Sequence, residues 1–152
     1  MWEVPKAVSL VAGSGEARTE LTAFDRALMD AGIANMNFLR VTSILPAGVD
    51  LVPVQKFIPG ALTPAVYARI ASHTPGERIV AAIAVGISRG AHGVIMEHTQ
   101  RGTAAEAETA VRAMVEEAMA FRELRIDDFV VACKAHVVRQ VGCAVAAVVF
   151  WP

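Results

Sequence analysis

Apolar and polar positions alternate with period two in some stretches of this chain and recur every three to four residues in others. Lys6 to Ala12 alternates, which predicts a strand ending at Gly13-Ser14-Gly15. Leu21, Phe24, Leu28 and Ala31 fall at helical spacing and are the expected buried stripe of a helix, with Thr19 as its cap and Gly32 as its stop. Asn37 to Leu45 reads as one strand, broken by Pro46-Ala47-Gly48. Leu51 to Pro64 is loop-like, carrying Pro53, Pro59, Gly60 and Pro64.

Ala65 to Ala71 fits either period. It is read as a strand because it feeds a Thr74-Pro75-Gly76 turn and then Ile79 to Ile87, the two together predicting a hairpin. Gly93 to Glu97 is a short apolar strand after Ser88-Arg89-Gly90. Thr103-Ala104-Ala105-Glu106 has the spacing of a capping box. It opens the clearest helix, with Ala107, Val111, Met114, Ala118 and Phe121 on one face and a Glu108/Arg112 pair outside. Strands around Phe129 to Ala135 and Ala144 to Phe150 close the chain. Two helices against six or seven strands, without regular βαβ alternation, indicate an α+β fold in layers. No linker or repeat interrupts residues 1–152, so one domain is expected.

Composition adjusts this outline. Hydrophobic residues make up 55% of the chain and charged residues 19%, yet the longest apolar run, Val141 to Trp151, has only eleven residues. That is short of the ~18 of a membrane span, so the run is better read as a core strand. The apolar excess is largely alanine, which suits tight sheets or subunit contacts, and a soluble oligomer is expected. A net charge of −1 with scattered basic residues gives no footprint for nucleic acid. Met1-Trp2-Glu3-Val4-Pro5 does not resemble an export signal, and two cysteines, Cys133 and Cys143, suggest reduced thiols in a cytoplasmic protein. Cys143, inside an apolar run, is expected to be buried and structural.

Most familiar chemical signatures are absent. Gly13-Ser14-Gly15 lacks the third glycine of a dinucleotide fingerprint, because Arg18 stands in its place, and a strand-to-helix turn is the plainer reading. His73, His92, His98 and His136 show no metal-ligand spacing, so no metal is expected.

Thr42-Ser43 carries more chemistry. A serine hydroxyl held against the preceding carbonyl can attack it. An N→O acyl shift and β-elimination then cut the chain and leave a pyruvoyl group on the downstream fragment. Three polar residues also sit awkwardly in apolar surroundings. Asp25 borders the apolar stripe of the first helix, where a carboxylate is costly unless it is paired or near a pocket. Asn37 opens the strand carrying Ser43. Glu97 ends Val94-Ile95-Met96-Glu97, where burial would keep it protonated. Taken singly, these also read as a helix-border charge, a turn asparagine and a strand-end glutamate.

Taken in order, Val8–Ser14, Ala23-Phe24-Asp25 through Ile33, Asn37–Pro46, Pro59–Leu62, Gly93–Glu97 and Gly142-Cys143-Ala144 resemble the pyruvoyl-dependent arginine decarboxylases. The resemblance implies an αββα sandwich assembled as a trimer, or a dimer of trimers, with active sites between subunits. It also implies self-cleavage into 1–42 and 43–152 and a covalent pyruvoyl cofactor made from Ser43, with Thr42 as the new carboxyl terminus. The reaction implied is L-arginine to agmatine and CO₂ through a Schiff base on the pyruvoyl group. Glu97 corresponds to the proton donor and Asn37 to the asparagine supporting the reaction centre. Asp25 corresponds to the carboxylate that meets the substrate guanidinium, from an adjacent subunit, and Ile44 to a residue lining the pocket. Thr42 stands where many relatives have serine, but the carbonyl under attack is the same. Two alternatives remain at this point. One is a trimeric binding or assembly relative that never cuts itself; the other is the same mechanism acting on another amino acid.

Overall fold

The computed structural model describes residues 3–152; Met1 and Trp2, part of the segment compared with an export signal, lie outside them. In chain order the elements are β1 (Ala7–Glu16), α1 (Glu20–Asp30), β2 (Asn37–Arg40), β3 (Ile44–Leu45), β4 (Asp50–Leu51), β5 (Leu62–Ser72), β6 (Arg78–Ile87), β7 (Gly93–Arg101), α2 (Ala104–Phe121), β8 (Asp128–Val137) and β9 (Gly142–Trp151). A first sheet runs β2-β5-β9-β1-β4 and a second runs β3-β7-β6-β8. The β1/β4 and β2/β5 pairs are parallel and the remaining pairs antiparallel.

Strand alternation explains how four layers stack. Ala144, Ala146, Val148 and Phe150 of β9 face Ile79, Ala81, Ile83 and Val85 of β6 between the sheets. The other face of β9, including Val145, Val149 and Trp151, packs with Ala23, Ala27 and Leu28 of α1. The other face of β6, Val80, Ala82 and Ala84, packs with Ala107, Val111 and Val115 of α2. All ten residues of β9 are buried. A strand covered on both faces reads as an unbroken apolar run, which accounts within one chain for much of the apolar excess.

Both helices begin and end on local signals. The Thr19 hydroxyl accepts the Thr22 amide at 3.1 Å. Gly32, at φ +79°, ends α1, with the Ile33 amide bonded to the Leu28 carbonyl at 2.9 Å. Thr103 caps α2 through the Glu106 amide at 3.2 Å. Only half of the expected capping box forms, because Glu106 Oε1 accepts the Thr103 hydroxyl instead of the Thr103 amide.

Several expectations change. Gly13-Ser14-Gly15 lies within β1 and is not a turn. A Cβ on Gly13 would stand 2.4 Å from the Ala27 carbonyl oxygen and one on Gly15 2.5 Å from Arg26 Cβ, so these glycines let α1 lie close on the sheet. The same closeness selects small residues for the helix faces. Leu21 is 70% exposed and Phe121 76%, while Ala23 and Ala27 on α1 and Val115 and Met119 on α2 take the core positions. The expected hairpin does not form: β5 belongs to the first sheet and β6 to the second. Asn37–Leu45 is likewise two strands, β2 and β3, one in each sheet.

No described helix is long and apolar enough to cross a membrane. Cys143 is fully buried, and burial pushes its thiol up to about 11. Cys133 is also pushed up, by burial and by the nearby Glu108.

Candidate active site

Three residues, Val41-Thr42-Ser43, carry the chain from the first sheet to the second. Each end is pinned. The Val41 amide donates to the Ala65 carbonyl at 3.0 Å, continuing the β2/β5 ladder, and the Ile95 amide donates to the Ser43 carbonyl at 2.8 Å, opening the β3/β7 ladder. Between these pins, among the described residues, neither the Thr42 carbonyl nor the Ser43 amide has a backbone hydrogen bond. Thr42 is exposed and Ser43 half-buried. A peptide inside a ladder has its carbonyl occupied by a hydrogen bond, whereas this one is free of both ladders.

Ile95 faces the space between the sheets, and Glu97, two residues further along β7, shares that face. There it meets a residue that the sequence pattern did not single out. Arg40, the last residue of β2, places Nη2 2.5 Å from Glu97 Oε1 and 2.9 Å from the Tyr67 carbonyl oxygen, and its guanidinium lies 4.8 Å from the centre of the Tyr67 ring. A lone arginine between Phe38-Leu39 and Val41 was the available signal. Glu97 therefore does not sit in the purely apolar setting that its sequence neighbours suggested. Its side chain is 31% exposed, Oε1 is ion-paired, and Oε2 is buried with no hydrogen-bond partner. Arg40, Glu97, Ala68, Arg69, His98 and Thr99 line a cleft of about 280 Å³.

The remaining candidate residues lie elsewhere in the single chain. Asn37, at the opposite end of β2, donates its side-chain amide to the Gly60 carbonyl at 3.0 Å and its backbone amide to Ala61 at 2.9 Å. It thereby holds the 58–61 turn against β2. Asp25 is exposed on α1, beside the packed face formed by Ala23, Ala27 and Leu28 and next to the half-buried Phe24. Its neighbour Phe24 packs against Tyr67 and under the guanidinium of Arg69, a residue of the Glu97 cleft. Ile44 is 42% exposed. It lines a separate apolar hollow of about 240 Å³ with Val41, Pro46, Pro64 and Phe150, so both residues flanking Thr42-Ser43 contribute to its wall.

Comparison with known proteins gives the family. The family model described as pyruvoyl-dependent arginine decarboxylase matches residues 7–152. The chain belongs to the pyruvoyl-dependent arginine decarboxylase family. Relatives bearing that name include a protein of Methanocaldococcus jannaschii, 42% identical over 99% of this chain and 92% of its own length. Another, from Pyrococcus horikoshii, is 41% identical over 99% and 98%, and one from Methanococcus maripaludis is 38% identical over 99% and 93%. A family dependent on a pyruvoyl group needs a serine whose preceding carbonyl is open to attack. Ser43 fits, since its peptide is released from both ladders and the unpartnered Glu97 Oε2 lies two residues beyond its strand neighbour Ile95.

Proposed function

We propose that this chain cuts itself between Thr42 and Ser43 and decarboxylates L-arginine to agmatine and CO₂ with a pyruvoyl group formed from Ser43. The observation that carries the reading is the Thr42–Ser43 peptide, free of backbone hydrogen bonds at the crossing between the sheets. The names of the relatives supply the substrate.

Formation of the group balances with one water. Ser43 Oγ attacks the Thr42 carbonyl carbon, and the peptide nitrogen leaves as the amine of an ester-linked serine. Loss of the Ser43 Cα proton expels Thr42 as a free carboxylate and leaves an enamine at position 43. Water then replaces its nitrogen, releasing ammonia. The fragments are 1–42 and 43–152. Once formed, the group supplies a conjugated carbonyl as the electron sink for decarboxylation, as pyridoxal phosphate does in other enzymes.

The chain's own residues would do the rest. Glu97 delivers the proton to the substrate Cα after CO₂ departs. Asn37 offers an amide to the oxygen on which charge develops, once a neighbouring subunit completes the site. Asp25, exposed on the outer layer, faces an adjacent subunit in a trimer and selects arginine, because its two oxygens match a planar guanidinium. Ile44 gives the pocket an apolar wall. The enzyme acts in the cytoplasm.

An activity panel of arginine, ornithine, lysine and aspartate, followed by CO₂ release, tests the reading. Release from arginine well above the other three is expected; release from another amino acid alone would transfer the same mechanism to that substrate.

A further inference from the structure

We propose that Arg40 changes partner when the chain is cut, holding Glu97 in the intact chain and the new Thr42 carboxylate afterwards. This rests on the cleavage at Thr42–Ser43 put forward above and names Arg40 as the residue that couples it to the acid.

The positions of the three groups support it. Arg40 stands two residues before the bond to be cut, and on an extended chain residues i and i+2 share a face about 6–7 Å apart, within reach of an arginine side chain. Its guanidinium is already stationed at the crossing by the Tyr67 carbonyl and ring. The Val41 amide, bonded to Ala65, keeps the end of β2 in place when the connection to Ser43 is gone. Arg40 therefore needs only to pivot. It has donors to spare, because a guanidinium carries five N–H groups and only Nη2 is engaged, with Tyr67 and Glu97.

Charge counting gives the direction. In the intact chain one cation meets one carboxylate. Among the described residues no other ion pair is made to Glu97: Arg69 of the same cleft lies 4.7 Å over the Phe24 ring, and His98 Nε2 is 2.9 Å from Gln100 Oε1. Cleavage places a second carboxylate beside the same cation. The new carboxylate stands two residues from Arg40 on the same segment, whereas Glu97 reaches it from the other sheet, so the terminal group takes the cation. Glu97 is then left with Oε1 released from its ion pair and Oε2 still buried and unpartnered. Arg40 is a positioning residue in this scheme: it blocks the acid in the precursor and releases it on maturation.

Crystal structures of the mature protein and of the Ser43→Ala chain, which cannot cut, test the exchange, with the side-chain NMR signals of labelled Arg40 as a solution readout. In Ser43→Ala the guanidinium is expected on Glu97. In the mature protein it is expected about 3 Å from the Thr42 terminal carboxylate, with its NMR signals displaced from their position in the uncut chain. Arg40 still on Glu97 Oε1 in a cut protein, with unshifted signals, overturns the exchange and leaves the decarboxylase reading standing. A wild-type chain that never cuts overturns both.

Discussion

Arg40 and Glu97 belong to different sheets, yet their side chains meet at 2.5 Å across the gap that the backbone itself crosses at Val41-Thr42-Ser43. The ion pair and the unladdered peptide mark the same place from two sides. Neither is predicted by secondary structure alone. Both follow from one strand pattern, Asn37 to Leu45, being shared between two sheets.

If Glu97 supplies the proton, Glu97→Gln keeps the shape and removes the acid. Agmatine formation by the cut protein is expected to fall by about 10²–10⁴-fold in kcat. Mass spectrometry on the same sample checks that cleavage persists. Unchanged turnover in a fully cut Glu97→Gln protein assigns the proton to another group.

Asp25 is exposed and outside the core of α1, so Asp25→Ala is expected to leave thermal stability nearly unchanged. Losing a charge-assisted contact to a guanidinium is expected to lower kcat/KM for arginine by roughly 10- to 100-fold. Activity on amino acids lacking a guanidinium should change far less. An arginine preference equal to wild type would remove Asp25 from the substrate site.

Glu16 ties the end of β1 to the second sheet. Its Oε2 accepts from His136 Nε2 at 2.6 Å, and its Oε1 accepts the amides of Gln140 at 2.7 Å and Arg139 at 3.1 Å. Burial by itself would raise this carboxyl, but the His136 and backbone hydrogen bonds outweigh it and hold the group below the usual glutamate range. A carboxyl lowered on folding stabilises the protein fully above its unfolded value, 4.5, and that stability is lost as pH falls through the lower folded value. Tm is therefore expected to drop below about pH 4.5, and Glu16→Gln is expected to flatten that part of the curve. Parallel Tm–pH curves for the two proteins would contradict it.

Gly13 lets α1 approach the sheet. In Gly13→Ala the new Cβ would meet the Ala27 carbonyl oxygen at 2.4 Å and the Ala31 amide nitrogen at 2.6 Å, both backbone atoms that cannot rotate away. A loss of roughly 1–3 kcal/mol in urea unfolding is expected. A neutral result would show that α1 shifts without cost.

Elements whose burial is extreme were legible in the sequence. The strands β6 and β9 read as unbroken apolar runs because both faces are covered, and Thr19 and Gly32 mark α1 through chemistry that is local in sequence. What escaped depends on distant partners. Of the expected helix stripes, Leu28, Ala31, Ala107, Val111 and Ala118 are buried, but the large residues Leu21, Met114 and Phe121 are exposed, because the close approach permitted by Gly13, Gly15 and Gly86 leaves little room at the packed faces. The division of Asn37–Leu45 and the separation of β5 from β6 are choices of sheet, which alternation within a strand does not encode. Of the site, Ser43 and Glu97 carried recognisable chemistry and the structure brings their strands together. Arg40 did not, because its partner lies 57 residues away on another sheet. Asn37 is engaged elsewhere in the single chain, with the 58–61 turn.

The mass of the purified protein is the most direct test of the central claim. Two fragments split at Thr42/Ser43 are expected, the larger blocked to N-terminal sequencing and labelled by a hydrazine at its new carbonyl, while Ser43→Ala stays whole. A single unlabelled species at 16.1 kDa in the wild type would contradict the account.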